Sequence, residues 1–208
     1  MYLVWAFAVS LAIYCTAAIS GAHLNPAMTL AFSVFRKFPK WKIIPYVFAQ
    51  LVGAILAASL NYLLYAKDIF SFEASKGIVR GSQDSYISAS AFGEYFMGLD
   101  YKTAFFAEFF GTAVLAFVIF SLTNEKNDEV PKGFAPALIG ATVGALISVI
   151  APLTQAGFNP ARDFGPRIVT WFTGWKAVSF HGWWVYVIAP LLGSICGAFS
   201  ADKVLWRA

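Results

Sequence analysis

Two stretches of this chain repeat the same three residues: Asn25, Pro26 and Ala27 in GAHLNPAMTL, and Asn159, Pro160 and Ala161 in GFNPARDFGP. Proline suits the first turn of a helix, where its missing N–H would be unbonded in any case, and asparagine is a preferred residue just before it. Each triplet therefore predicts a helix start. The stretches that follow, Met28 to Phe35 and Phe164 to Phe172, are too short at about 1.5 Å per residue to cross a bilayer core of about 30 Å. They read as half-helices. Entering from opposite faces, they would bring two N-termini, each equivalent to about half a positive charge, to the bilayer midplane. Cations are then repelled, while the Asn25 and Asn159 amides offer hydrogen bonds to a passing oxygen. That is the selectivity of a pore for water or small neutral solutes.

Other residues with chemical potential are few. Arg162 lies three residues past Asn159 in an apolar region, where an ionisable side chain costs several kcal/mol and marks function by default; the structural alternative is an arginine snorkelling to the interface. Glu108, deep in an apolar stretch, reads as an acceptor for backbone N–H groups of a half-helix loop rather than as a catalytic acid. His23 and His181 have no partners in a metal or base pattern and read as loop histidines. Cys15 and Cys196 fall in apolar segments, where free thiols behave as small hydrophobes. No nucleophile, base and orienting group occur together, so an enzyme is not expected, and no metal or cofactor site is implied.

The elements that must position these residues follow from composition. Of 208 residues, 59% are hydrophobic and 12% charged, against about 25% charged in soluble domains. The chain reads as an all-α membrane protein in a lipid bilayer. Five segments are long enough to span it: Tyr2 to Ser20, Ile43 to Ala66, Ala104 to Leu122, Phe134 to Leu153 and Trp183 to Ala201. The first has no basic residue before it and runs straight into the first triplet, which argues against a signal peptide. The net charge of +4 is modest and its basic residues sit at loop ends. Nucleic acid is not an expected partner.

Both triplets share the order span, triplet, half-helix, basic linker, span. Paired interrupted segments of this kind point to an inverted repeat with its site at the midplane, here dividing into halves 1–100 and 101–208. The halves are unequal. Glu108 lies 51 residues before Asn159, and the same offset from Asn25 falls before Met1. The expectation is an inverted repeat with five full spans and two pore half-helices, lacking the first helix of a usual six. Arg36, Lys37, Lys40 and Lys42 put the first short linker in the cytoplasm; Lys67 to Lys102 then lies outside, as a cap or a connection. Gly140 with Gly144, and Gly193 with Gly197, give the small-residue spacing that lets helices approach closely.

SGAHLNPAMTLAF, GFNPARDFGPR, AEFFGTAVL and APLLGSICGAF together resemble the aquaporin superfamily (major intrinsic proteins), in its aquaglyceroporin or glycerol facilitator branch. The resemblance covers essentially the whole chain. It implies a homotetramer with one pore per protomer, no cofactor, and passage of glycerol and other small uncharged solutes with water. The branch rests on Asp163 after Arg162, on Arg167, and on Pro190 with Leu191. Offsets from the triplets place the family's four-residue selectivity filter at Trp5, Ile147, Ala156 and Arg162. Trp5 matches glycerol facilitators, with an interfacial aromatic as the alternative. Ile147 stands where water-selective members commonly carry His. Bacterial-type facilitators have Gly at Ile147 and Phe at Ala156, and this set is more similar to nodulin-type plant channels. Two other readings stay open: a water-selective aquaporin, and a non-conducting membrane component.

Overall fold

The structure, a computed structural model, describes residues 2–96 and 98–207. Among these, all regular structure is helical. In chain order the α-helices are α1 (Tyr2–Ser20), α2 (Pro26–Phe35), α3 (Ile43–Lys76), the single turn α4 (Tyr86–Ala89), α5 (Tyr101–Leu122), α6 (Ala135–Thr154), α7 (Pro160–Thr170) and α8 (Val185–Phe199). Five of the described helices are long and apolar enough to cross a membrane. The order of α1, α2 and α3 (span, half-helix, span) recurs in α6, α7 and α8.

Several boundaries differ from the sequence expectation for identifiable reasons. Both half-helices begin at the prolines, Pro26 and Pro160, where the triplets predicted a helix start, because the Asn-Pro pair itself caps and opens them. The second ends at Thr170 and passes into a π-helical turn, Trp171–Trp175. Helix α3 does not stop at Ala66. Nothing breaks it before Gly77, which closes it in the left-handed conformation at φ 66°, a geometry that glycine adopts without a Cβ penalty. After α8 the chain continues in a π-helical turn, Ser200–Leu205.

Packing explains the glycines. Along α8, a Cβ at Gly193 would overlap the Phe109 carbonyl, and one at Gly197 the Ala113 carbonyl, both on α5. The helices are in backbone contact there, the close approach that small residues at four-residue spacing permit. Gly140 brings α6 as close to the Ala6 carbonyl of α1, and at Gly144 a Cβ would meet the Tyr2 carbonyl at 3.0 Å. The half-helices lie inside this frame, α2 against α3 and α8, and α7 chiefly against α3.

Between α3 and α5 the chain forms a packed cap. Phe92, Tyr95 and Ala89 join Trp175, Val169 and Ala58 in one apolar cluster. Arg80 pairs with Glu73 at 2.7 Å and lies over the Trp175 ring at 3.9 Å, while Trp175 Nε1 donates to Ser88 Oγ at 2.9 Å. At the opposite end, Arg36 forks onto both Asp202 oxygens at 2.5 and 2.6 Å and donates to the Phe120 carbonyl at 2.8 Å. This ties the end of α2 to the C-terminal turn. Cys15 and Cys196 are free and face outward.

Candidate pore

Each half-helix is capped by its own asparagine. Asn25 and Asn159 are extended, and their Oδ1 atoms accept from Ala27 N at 2.8 Å and from Ala161 N at 3.1 Å. The amide nitrogens then cross over. Asn25 Nδ2 donates to the Phe158 carbonyl, and Asn159 Nδ2 to the Leu24 carbonyl, both at 2.8 Å. The two half-helix starts are therefore tied to each other's entry loops. An amide NH₂ has two hydrogens, so one on each asparagine is committed to this crossing and one is left to face the cavity. The sequence reading left both free.

The second entry loop is held from below by a carboxyl group. Glu108 is fully buried; Oε1 accepts from Thr154 Oγ1 at 2.5 Å and Gly157 N at 3.0 Å, and Oε2 accepts from Phe158 N at 2.7 Å. Three residues of that loop that are not glycine, Gln155, Ala156 and Phe158, have φ of 62°, 61° and 51°. L-residues resist this left-handed region, and the Glu108 bonds offset the strain. Tyr186 adds a donor to the Thr154 carbonyl at 3.0 Å.

A cavity of about 110 Å³ runs along these residues. Asn25 and Asn159 border it, as do Trp5, Ile147, Ala156 and Arg162, so the four positions expected to form the filter share one space with both triplets. Met28, Leu115 and Ile119 continue the wall in apolar form. A second space of about 410 Å³ lies between α1 and α3 and meets the first at Trp5, Val9, Leu24, Asn159 and Arg162. The Arg162 guanidinium lies 4.7 Å from the centre of the Trp5 ring.

Asp163 and Arg167, singled out only through the branch resemblance, form a buried pair at 2.7 Å. Asp163 Oδ1 also accepts from Glu94 N at 2.9 Å, and Arg167 donates to the carbonyls of Glu94, Ser179 and His181. Tyr95 N donates to Gln155 Oε1 at 2.7 Å. The pair thus fastens the cap, residues 92–96, onto α7. Of the other branch positions, Pro190 is buried within α8, and Leu191 packs against the cluster of Ala27, Met28 and Ala116. His23 lies in the loop between α1 and α2 and is packed there. Its ring stacks on Phe32 at 4.6 Å and also meets Phe38, while its carbonyl accepts from Gln50. His181 is exposed in the turn before α8.

Sequence reasoning missed Glu94, whose carboxylate pairs with Arg162. It is one acidic residue of a mixed loop, without periodicity. The available signal was local: a lone charge among Phe92, Tyr95 and Phe96, which a solvated loop would have no reason to surround with rings.

The sequence profile described as Major intrinsic protein matches residues 1–200. The chain belongs to the major intrinsic protein family. Within that family it is 41% identical over 213 residues to the Glycerol uptake facilitator protein of Escherichia coli, covering 99% of this chain and 75% of the relative. It is also 41% identical over 204 residues to the Propanediol uptake facilitator PduF of Salmonella typhimurium, covering 94% and 77%. Among solved structures it resembles the aquaglyceroporin from Plasmodium falciparum, with a TM-score of 0.84 and 28% identity over 98% of this chain and 81% of that one. With five helices suited to spanning among the described residues, this major intrinsic protein is a multi-pass membrane protein.

Proposed function

We propose that this protein is a passive channel for glycerol and other small uncharged solutes, with water alongside, that excludes protons and ions. The observation that carries the reading is the shared cavity bordered by Asn25, Asn159, Trp5, Ile147, Ala156 and Arg162. Half-helix N-termini beside Asn25 and Asn159 oppose cations. The cavity-facing amide hydrogens and the Arg162 donors replace hydrogen bonds that a solute leaves behind in water, while Trp5 and Ile147 offer apolar surface to the CH groups of a polyol. Relatives named for glycerol and propanediol uptake support a polyol class. Transport needs no covalent step. The two halves, 1–100 and 101–208, each supply one half-helix, and we read the assembly as a homotetramer with one pore per chain.

The test is stopped-flow light scattering on proteoliposomes under inward glycerol and sucrose gradients. Glycerol entry well above that of empty vesicles, with sucrose excluded, is the expected result. Replacing Arg162 with Ala should admit larger or charged solutes. A parent that admits no glycerol refutes the channel reading, and an unchanged solute ranking in Arg162→Ala removes Arg162 from the filter.

A further inference from the structure

Resting on that channel reading, we propose that Phe158 is a positioning residue for the pore: its ring, seated in a notch at Gly111 of α5, aims the Asn25 amide and so sets how well hydroxyl-rich solutes pass. Phe158 stands just before the second triplet, and its carbonyl accepts from Asn25 Nδ2 of the first at 2.8 Å. Its N–H donates to Glu108 Oε2 at 2.7 Å. One residue thus links the carboxyl group that holds its own loop to the asparagine that opens the other half-helix.

The side chain decides where that residue stands. A Cβ at Gly111 would overlap Phe158 Cε1 and lie 2.6 Å from Cζ and 2.9 Å from Ile150 Cδ1. The ring therefore fills the space that any side chain at position 111 would take. It is 3% exposed and packs in one cluster with Ala107, Ile150 and Ala156. Gly111 follows Glu108 by three residues, which puts the notch and the carboxylate one turn apart on the same face of α5. Helix α5 grips residue 158 at two points, the backbone N–H and the tip of the ring. Phe158 has a φ of 51°, which an L-residue resists, and two fixed points leave it little freedom to relax. The carbonyl that meets Asn25 is fixed with it.

With one Asn25 hydrogen spent on the Phe158 carbonyl, the direction of the other is set by where that carbonyl lies. The wall beside it is apolar, formed by Met28, Leu115 and Ile119. A solute passing there has shed water from its hydroxyl groups, and each hydroxyl that meets no partner costs free energy. Glycerol carries one hydroxyl more than propylene glycol, so its passage draws more heavily on the few donors of the pore. A ring that leaves its notch turns the Asn25 hydrogen away, and glycerol loses more by it than propylene glycol does.

The experiment measures glycerol and propylene glycol permeabilities on the same proteoliposomes for the parent, Gly111→Ala, Phe158→Leu and the double variant. Their ratio does not depend on how many channels are inserted, so a purely structural loss of folded protein leaves it unchanged. Gly111→Ala pushes the ring out of its notch and Phe158→Leu leaves the notch unfilled; in each, glycerol permeability should fall about fivefold relative to propylene glycol, the worth of about one hydrogen bond. Leucine lacks the Cε1 and Cζ atoms that a Cβ at position 111 would meet, so the double variant should return toward the parent ratio. Asn25→Ser keeps a capping oxygen and removes the crossing amide, and on that background Phe158→Leu should leave the ratio where Asn25→Ser alone puts it. If either single variant keeps the parent ratio, if the double variant fails to recover it, or if Phe158→Leu acts equally without the Asn25 amide, the inference is overturned while the channel reading stands. A parent that passes neither solute overturns the reading first.

Discussion

Glu108→Gln replaces one carboxyl oxygen with an amide nitrogen in a site that contains only donors and a hydroxyl. In the parent, two oxygens accept three hydrogen bonds, from Thr154 Oγ1, Gly157 N and Phe158 N. At about 1.5–3 kcal/mol for each bond to a charged group, they are of the size needed to offset the strain of three left-handed residues at about 1–2 kcal/mol each. In the variant the Thr154 hydroxyl can turn and accept from the new NH₂, but Gly157 N–H or Phe158 N–H must face a nitrogen that cannot accept. One orphaned buried donor costs about 1–3 kcal/mol, and the surviving bonds fall to the neutral range. A net loss of about 3 kcal/mol follows, or about 6–12 °C in melting temperature for a chain of this size. The assay is thermal melting in detergent followed by tryptophan fluorescence, paired with glycerol flux. Because Ala156 belongs to the loop that Glu108 holds, flux per folded channel should fall as well. A variant that melts within about 2 °C of the parent and keeps its flux would refute the claim that this carboxyl group holds the loop.

Two further substitutions probe the frame. Arg167→Met strands the buried Asp163 carboxylate and frees three carbonyls; it should cost about 3–5 kcal/mol, and the double variant Asp163→Leu with Arg167→Met should cost less than the sum of the single changes, as a double-mutant cycle of melting temperatures will show. Gly197→Leu places a side chain where the Ala113 carbonyl already lies; forcing α8 off α5 should cost about 3 kcal/mol or more and abolish the sharp size-exclusion peak of the folded protein, whereas the same change at Gly53, which has open space around it, should be mild.

Much of the architecture was readable because a bilayer constrains sequence so strongly. A helix that must satisfy every backbone group internally needs a long apolar run, so spans announce themselves, and Asn-Pro pairs announce half-helix starts through capping. The far end of α3 was not readable by that route. Lys67 to Lys76 is too polar for a span but contains no breaker, and what keeps it helical is tertiary: Glu73 is buried and paired with Arg80. The cap failed for the same reason. Residues 77–100 have turn composition, and only the fold shows Phe92 and Tyr95 packed with Trp175, a partner 80 or more residues away. Of the site, the residues fixed by local backbone chemistry were legible. Those fixed by distant contacts, Glu94 on Arg162 and Gln155 on Tyr95, were not.

Side chains hold both triplets from outside the half-helices. The second loop hangs from the Glu108 carboxyl group. The first is held by side chains around it: Gln50 Nε2 donates to the His23 carbonyl and to Thr29 Oγ1 at 3.0 Å, Tyr46 donates to the Ser20 carbonyl at 2.9 Å, and the His23 ring is stacked among aromatics. What the copies retain in common is the cap and the crossing amide. Because Asn25 bonds the second loop and Asn159 the first, neither half-helix can shift along the pore without drawing on the other. The supports of both loops thus act on one joint, and the spacing between the half-helix starts is set by both at once. That coupling gives a physical reason for the triplet to recur.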